Sequence, residues 1–140
     1  MSDSQPPVGY ALLISESKFL DHLGKVYLKV METPNGTAER WLAMRVEACH
    51  VNSWQFAHGA FMASMAEIAT ANAGWDPNGL PCVGIDLAMQ FIGAPKLGDL
   101  LEVRSWLTKR TRSLVFTRAA GEVAGAPMFV ATSILKIIST

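Results

Sequence analysis

The sequence predicts an α+β fold in which one antiparallel sheet wraps around one long central helix. The helix is indicated by a nearly uncharged run from His58 to Trp75, with Gly74 as its C-cap. Six other segments alternate apolar and polar residues at every second position, as strands do. Short turns join most consecutive strands, which favours antiparallel pairing. One long apolar helix then needs a sheet to cover it.

The N-terminal part is predicted to be an extension of the main domain. Residues 1–9 are polar and rich in proline, which indicates a frayed start. Ser15–His22 could form a short helix with Ser15 as its N-cap. We therefore assign residues 1–23 to an N-terminal extension with a possible short helix, and residues 24–140 to a single domain with its own core.

The first two strands form a predicted hairpin. Alternation runs from Val26 to Val30 and again from Leu42 to Ala48, around the turn signal Pro34-Asn35-Gly36. The other four strands follow the helix, and we predict them at Val83–Phe91, Leu101–Leu107, Leu114–Ala120 and Met128–Ile138. Their connections are predicted at Pro95–Gly98, Arg110–Ser113 and Gly121–Pro127.

Composition and charge exclude several classes of function. The chain has 12 basic and 12 acidic residues, so no basic excess points to nucleic acid. Its longest weakly charged stretch, Gly59–Trp75, is short for a membrane span and contains polar residues, so we expect no membrane association. The N-terminus has no secretion signal, and Cys49 and Cys82 form no CxxC motif. These features predict a cytoplasmic protein with reduced thiols.

Glu67 is the only charged residue inside the predicted helix, and it is the first candidate for a catalytic group. Carboxylates in apolar surroundings are rare unless they are paired or functional. A structural alternative is an acid on a helix that the sheet covers only in part. His58-Gly59 opens the same helix, where unpaired N–H groups favour negative charge.

Helix geometry predicts that two protomers share an active site. His58 and Glu67 are nine residues apart, which is about 13 Å along a helix and two and a half turns around it. They therefore point to opposite sides of one helix. Two antiparallel copies of the helix, related by a two-fold axis, would bring them together. We expect a homodimer, and a tetramer formed from two dimers remains open.

The motif resembles the hotdog-fold acyl-CoA thioesterases, in the branch of the phenylacetate-pathway and 4-hydroxybenzoyl-CoA enzymes. The resemblance rests on Asn52 six residues before His58-Gly59, on the acid at Glu67, and on the segment from Gly84 to Asp99. It covers about Gly24 to Ile138 and implies a hotdog fold. It also implies hydrolysis of an acyl- or aryl-CoA to free acid and coenzyme A, without a cofactor.

The resemblance also implies roles for individual residues. The Gly59 N–H would polarise the thioester carbonyl, and Glu67 of the partner would act as general base or nucleophile. Asn52 would position the thioester or the water, and His58 would hold the turn into the helix. Asn52 as a turn residue and His58 as a structural histidine are the simpler alternatives.

The chain departs from the family pattern at some positions. Gln55 stands where many members have glycine, and its side chain could reach the thioester or only fill the loop. Some relatives place a hydroxyl near Gly84, and this chain has none there. Thr70, one turn after Glu67, is the predicted replacement that positions the water.

The basic cluster of Lys109, Arg110 and Arg112 is a second candidate for substrate binding. By itself it indicates a solvated hairpin tip. With a coenzyme A substrate, it suits the nucleotide phosphates. His50 and His58 lack metal-ligand spacing, so we predict no metal, and no GxSxG motif supports a serine hydrolase.

Two alternative functions remain open from the sequence. A non-catalytic hotdog protein that binds acyl-CoA would keep the pocket without turnover, and Glu67 argues against it. A hotdog enoyl-CoA hydratase is suggested by Ala57-His58-Gly59, but the Asp-x-Asn-x-x-His pattern of those enzymes is absent.

Overall fold

The sheet has seven strands, and all neighbouring strands are antiparallel. The computed structural model describes residues 5–34 and 38–138. In chain order the elements are β1 (Ala11–Leu12), α1 (Lys18–Leu23), β2 (Tyr27–Glu32), β3 (Ala38–Arg45), a 3-10 turn (Ala48–His50), α2 (Gly59–Ala73), β4 (Cys82–Phe91), β5 (Leu100–Arg110), β6 (Leu114–Val123) and β7 (Ala126–Ile137). The order across the sheet is β1-β2-β3-β5-β6-β7-β4. This confirms the predicted sheet around one long helix.

Helix α2 lies across the sheet and contacts β3, β4, β5, β6 and β7. Its buried face consists of Phe61, Met62, Met65, Ala66, Ile68, Ala69 and Thr70. These side chains meet inward residues of the strands such as Leu42, Leu101 and Phe129, which are fully buried. The sheet covers only this side, so Ala60 and Glu67 on the opposite side are exposed within one protomer.

The N-terminal segment contributes more to the sheet than the sequence indicates. Residues of β1 pair with β2, and the Tyr10 hydroxyl donates to Glu102 Oε2 at 2.6 Å on β5. Burial and the carboxylate at Glu102 raise the pKa of Tyr10 far above its ordinary value. The predicted short helix is present as α1, but its N-cap is Ser17, which accepts from the Leu20 N–H at 3.4 Å. The Ser15 hydroxyl instead accepts only the Ser17 N–H, which lies before the helix. The helix therefore begins later than predicted.

The hairpins differ from prediction mainly at their ends. Ala124 and Gly125 have φ angles of 49° and 83°, so the β6–β7 turn takes two residues and the strands run further than predicted. Gly121 continues β6 because the Phe129 ring lies over it, where a Cβ would come within 2.3 Å of the ring. Of the predicted turn at Pro34–Gly36, only Pro34 lies among the described residues.

Strand β4 forms one edge of the sheet. It pairs with β7 on one side, and no described strand pairs with its other side. Its large apolar residues are exposed, including Val83, Ile85, Leu87 and Phe91. A register shift between Gly84 and Asp86 marks a bulge in this strand. No helix in the described part of the chain is long and apolar enough to cross a membrane.

Candidate active site

The loop before α2 is built around Asn52. Its side-chain oxygen accepts the backbone N–H groups of Trp54 at 2.9 Å and Phe56 at 3.2 Å. Its backbone N–H donates to the Phe56 carbonyl at 2.8 Å. This is the turn role that the simpler alternative assigned to Asn52. The side-chain amide nitrogen still remains for a substrate, because the loop uses only the oxygen.

The start of α2 satisfies three of its first four N–H groups. The N–H groups of Phe61 and Met62 donate to the His58 carbonyl at 2.9 and 3.2 Å. The Ala60 N–H donates to His58 Nδ1 at 3.0 Å. No described residue accepts the remaining N–H, that of Gly59. The Met62 bond is the ordinary first bond of the helix, and His58 also closes the Ala60 and Phe61 N–H groups, which a helix start normally leaves open.

His58 itself is therefore a helix cap. Because Nδ1 accepts a hydrogen bond, the neutral ring carries its proton on Nε2, and the side chain is exposed. The His58 N–H donates to the His50 carbonyl at 2.8 Å. The role of His58 in supporting the turn into the helix stays a prediction.

His50 stabilises the same turn through hydrogen bonds of its ring. Its Nδ1 accepts the Glu47 N–H at 2.9 Å, so its Nε2 donates to the Leu23 carbonyl at 2.6 Å. The ring stacks on Phe61 at 4.1 Å between centroids. Glu47, Cys49 and His50 are the one group of described residues with metal-ligating atoms close together. Both ring nitrogens of His50 are already engaged, so the group does not fit a metal as it stands.

Glu67 lies on the open stripe of α2, which we define as Ala60, Ser64, Glu67 and Ala71. Its carboxylate is exposed and has no partner among the described residues. It lies beside Gly84, where an added Cβ would come within 3.8 Å of Glu67 Oε1. The bulge in β4 is at this point. Bulges are common beside active sites because they redirect the strand locally.

Gly59 and Glu67 do not meet within one protomer. They are eight residues apart on a continuous helix, which separates them by about 12 Å along its axis. Gly59 lies at the other end of β4, near Phe91, whose ring carbon would be 3.5 Å from a Cβ at Gly59. Both candidate groups thus flank the unpaired edge of the sheet.

Gln55 has a left-handed backbone with a φ of 67°. This conformation favours glycine, which explains the glycine that many family members carry at this position. The Gln55 carbonyl accepts the Leu97 N–H at 3.2 Å, and the residue is exposed. The loop geometry, rather than the Gln55 side chain, accounts for the tight turn.

The assignment of Thr70 to water positioning is wrong for this geometry. Thr70 is fully buried, whereas Glu67 is exposed. Its hydroxyl lies 2.8 Å from the Ala66 carbonyl and 3.0 Å from the Glu67 carbonyl. Three residues along an α-helix rotate the direction of the side chain by about 300°. Thr70 therefore faces the core, although Glu67 lies on the open stripe.

The basic cluster lies at the opposite end of α2 from Gly59. Arg110 donates from a terminal guanidinium nitrogen to the Gly74 carbonyl at 2.7 Å. It therefore caps the C-terminal end of the helix, where positive charge is favourable. Lys109 and Arg112 are exposed in the same hairpin and make no contact of this kind among the described residues.

The sequence reasoning missed Arg40 as a site residue. Alternation along β3 places Arg40 on the same face as Leu42 and Met44, which are buried. An arginine on the core-facing side of a strand is the signal that could have identified it. It lines a groove of about 490 Å³ that also contains Glu67.

Comparisons with known proteins identify the family of this chain. A family model described as the thioesterase superfamily matches residues 55–124, which is half of the chain. A Pseudomonas aeruginosa protein named Putative esterase PA0474 is 27% identical over 117 residues, covering 81% of this chain and 83% of the relative. The chain belongs to the thioesterase superfamily and is a thioester hydrolase.

Solved structures share the fold at low sequence identity. Zebra fish thioesterase superfamily member 2 superposes with a TM-score of 0.75 at 19% identity, covering 88% of this chain and 89% of that one. The Escherichia coli PaaI protein from the phenylacetic acid degradation operon gives 0.75 at 18%, covering 89% and 86%. A Streptococcus pneumoniae thioesterase solved with coenzyme A gives 0.68 at 15%, covering 84% and 91%. The fold of this chain is the hotdog fold.

Proposed function

We propose that the protein hydrolyses an acyl- or aryl-coenzyme A thioester, using Glu67 and the Gly59 N–H. One observation carries the proposal: α2 combines a single uncommitted N–H at its start with a single unpaired carboxylate on its open stripe. Acyl transfer needs a donor for the carbonyl oxygen and a base or nucleophile for the carbonyl carbon. No other charged side chain belongs to α2.

The chemistry follows from these two groups. The Gly59 N–H donates to the thioester carbonyl oxygen and stabilises the negative charge that develops there. Glu67 takes a proton from water as the water oxygen bonds to the carbonyl carbon. The C–S bond then breaks, and the coenzyme A thiolate leaves and takes up a proton. In the nucleophilic alternative, Glu67 bonds to the carbonyl carbon, the C–S bond breaks to release the coenzyme A thiolate, and water then hydrolyses the resulting anhydride.

The reaction requires a dimer, because Gly59 and Glu67 are too far apart in one protomer. The unpaired edge of β4 and its exposed apolar residues favour an interface at this edge. A two-fold axis there lays the two α2 helices antiparallel, with Gly59 of one protomer facing Glu67 of the other. Small residues on the open stripe allow a close approach of the helices. A tetramer of two such dimers and the cytoplasmic location stay predictions.

The same dimer would bring one protomer's basic hairpin towards the other protomer's Gly59, since antiparallel helices place unlike ends together. Lys109, Arg112 and the remaining N–H groups of Arg110 are then available for the phosphates of coenzyme A. The coenzyme A of the Streptococcus pneumoniae relative supports this substrate class. Asn52 would assist through its side-chain nitrogen, and His58 by holding the helix start.

Thiol release from short, medium, long and aryl acyl-CoA esters tests the proposal. We expect Glu67→Gln to lower kcat about 1,000-fold, within the range typical of a general base, with an unchanged melting temperature. Ser64→Ala on the same stripe is the control, because the Ser64 hydroxyl donates to the Ala60 carbonyl at 2.9 Å. Full activity of the Glu67→Gln variant would rule out the mechanism.

Complementation tests whether the site is shared. Gly59→Pro removes the N–H, and Glu67→Gln removes the carboxylate. If the site combines Gly59 of one protomer with Glu67 of the other, each mixed dimer regains one intact site. Random reassortment of the two variants should restore about one quarter of the wild-type rate, because about half of the dimers are mixed. No recovery after verified subunit exchange would place both groups in one protomer.

A further inference from the structure

A groove beside Glu67 contains Arg40, which has no carboxylate partner among residues 5–34 and 38–138. One wall of this groove, which we call the Arg40 groove, is the N-terminal segment with Leu13, Ile14 and Leu20. The opposite wall is the side of α2 that carries Glu67, Ile68, Ala71, Asn72 and Trp75. The volume of about 490 Å³ lies within the range of small-molecule sites.

Arg40 lies at the end of the groove away from Glu67. Its Nε donates to the Asn72 side-chain oxygen, and its guanidinium lies 5.7 Å from the centre of the Trp75 ring. Asn72 follows Glu67 by five residues, or about 7.5 Å along the helix. Along α2, the groove therefore presents the Glu67 carboxylate first and the Arg40 guanidinium about 7.5 Å further on, with Ile68 and Ala71 between them.

No carboxylate in the described part of the chain balances the charge of Arg40. Among the described residues, no carboxylate pairs with it, and its terminal nitrogens have no acceptor. Glu39, its neighbour, points to the other face of β3 and pairs with Arg104 at 2.9 Å. Partial burial without a counter-charge lowers the pKa of the Arg40 guanidinium. Half-buried guanidinium groups are normally paired, since desolvation of a lone charge is costly.

We propose that Arg40 binds an anionic group, such as a carboxylate, at the far end of the acyl chain. The inference rests on the proposed function, because the thioester carbon would lie at Glu67 and the acyl chain along the groove. The planar guanidinium has its terminal N–H groups free for a carboxylate, and Asn72 and Trp75 hold its plane. The apolar walls accommodate the methylene or ring carbons between the two ends.

The test compares two esters that differ only at the acyl end. Adipoyl-CoA carries a terminal carboxylate, and hexanoyl-CoA has the same number of carbons and ends in a methyl group. We expect wild type to hydrolyse adipoyl-CoA with a kcat/KM about tenfold or more above that for hexanoyl-CoA, as a charge-assisted pair warrants. Equal or lower kcat/KM for adipoyl-CoA would overturn the inference, without any variant.

Variants of Arg40 separate charge recognition from packing. Arg40→Gln should raise KM for adipoyl-CoA about tenfold and leave hexanoyl-CoA nearly unchanged, whereas Arg40→Lys should recover part of the preference. The control is Arg118→Gln, an exposed arginine outside the groove. A loss that is equal for both esters would mean that Arg40 only supports the fold, and would overturn the inference.

Binding keeps this inference separate from the proposed mechanism. Calorimetric titration of Glu67→Gln protein with the two esters measures recognition without turnover. We expect Glu67→Gln protein to bind adipoyl-CoA more tightly than hexanoyl-CoA, and the Glu67→Gln/Arg40→Gln protein to lose this difference. That result would support the Arg40 groove even if wild type releases no thiol. Hydrolysis of neutral esters, with no preference for adipoyl-CoA in rate or binding, would leave the thioesterase proposal intact and reject the role of Arg40.

Discussion

The backbone hydrogen-bonding groups at the two ends of helix α2 are bonded differently. At the C-terminal end, the Gly74 N–H donates to the Ala71 and Thr70 carbonyls, and Arg110 donates to the Gly74 carbonyl. At the N-terminal end, His58 accepts three N–H groups, and the fourth, that of Gly59, has no acceptor among the residues that the structure describes. The bonds at the C-terminal end support the fold, and the Gly59 N–H at the N-terminal end is available for a ligand.

The residues at the two ends are glycines for different reasons. Gly74 has right-handed helical angles, with φ −87° and ψ −3°, so it is not a left-handed cap. It is glycine because Leu135 and Val115 pack against it. Gly59 has room for a side chain, since a Cβ there would meet only the Phe91 ring at 3.5 Å. The space for a side chain is therefore restricted at Gly74, at the C-terminal end, and open at Gly59, at the candidate site.

Among changes at the two ends of α2, removing the free Gly59 N–H has the largest expected effect. Proline is well tolerated at the first position of a helix, and His58 already has the extended angles that precede a proline. Gly59→Pro should therefore fold normally and lower kcat about 100- to 1,000-fold, the effect of losing one oxyanion donor. Gly59→Ala keeps the N–H and should stay within about tenfold of wild type. Equal activity of the two variants in a thiol-release assay would remove Gly59 from the mechanism.

A substitution at the other end should affect stability and not catalysis. A Cβ at residue 74 would come within 2.6 Å of Leu135 Cδ1 and 3.3 Å of Val115 Cγ1. Gly74→Ala should lower the free energy of unfolding by about 1–3 kcal/mol, as overpacking does, while the folded protein keeps its kcat. Denaturant unfolding measures this loss. Leu135→Ala in the same chain should recover part of it, and strict additivity of the two changes would contradict the packing explanation.

The hydrogen bond from Arg110 should contribute less. Arg110→Ala should destabilise the fold by about 1 kcal/mol, because the bond is charged but solvent screens the side chain. Arg112→Ala should change stability by less than about 0.5 kcal/mol. If the hairpin also binds the phosphates of coenzyme A, both variants should raise KM. An equal change in stability in Arg110→Ala and Arg112→Ala would show that the hydrogen bond to the Gly74 carbonyl does not cause the change.

The smallest effect is expected just before the N-terminal end. Gln55→Gly removes the left-handed strain and should stabilise the fold by about 0.5–1 kcal/mol, partly offset by the greater freedom of glycine in the unfolded chain. Thermal unfolding checks the gain. An accompanying rise in KM would show that the Gln55 side chain contacts the substrate, whereas an unchanged KM would limit its role to filling the loop.

The site could be predicted where its geometry is local. The cap at His58, the open Gly59 and the position of Glu67 on one helix all follow from residues within nine positions of each other. Thr70 was misplaced, because a helical wheel cannot tell how far around a helix the sheet extends. Ser15 was taken as the cap of α1 because two serines, Ser15 and Ser17, both precede the helix. The choice between them depends on contacts of the whole segment.

By itself, the sequence determined the helix, six of the seven strands, and the residues that share the motif of the thioesterase superfamily. These features depend on periodicity and spacing along the chain. Only the tertiary structure decided the sheet order, the bare edge of β4, the extra strand β1, and the meeting of Arg40 with Asn72, which lie 32 residues apart. Pairings of this kind depend on which distant surfaces pack together, and no local pattern encodes that choice.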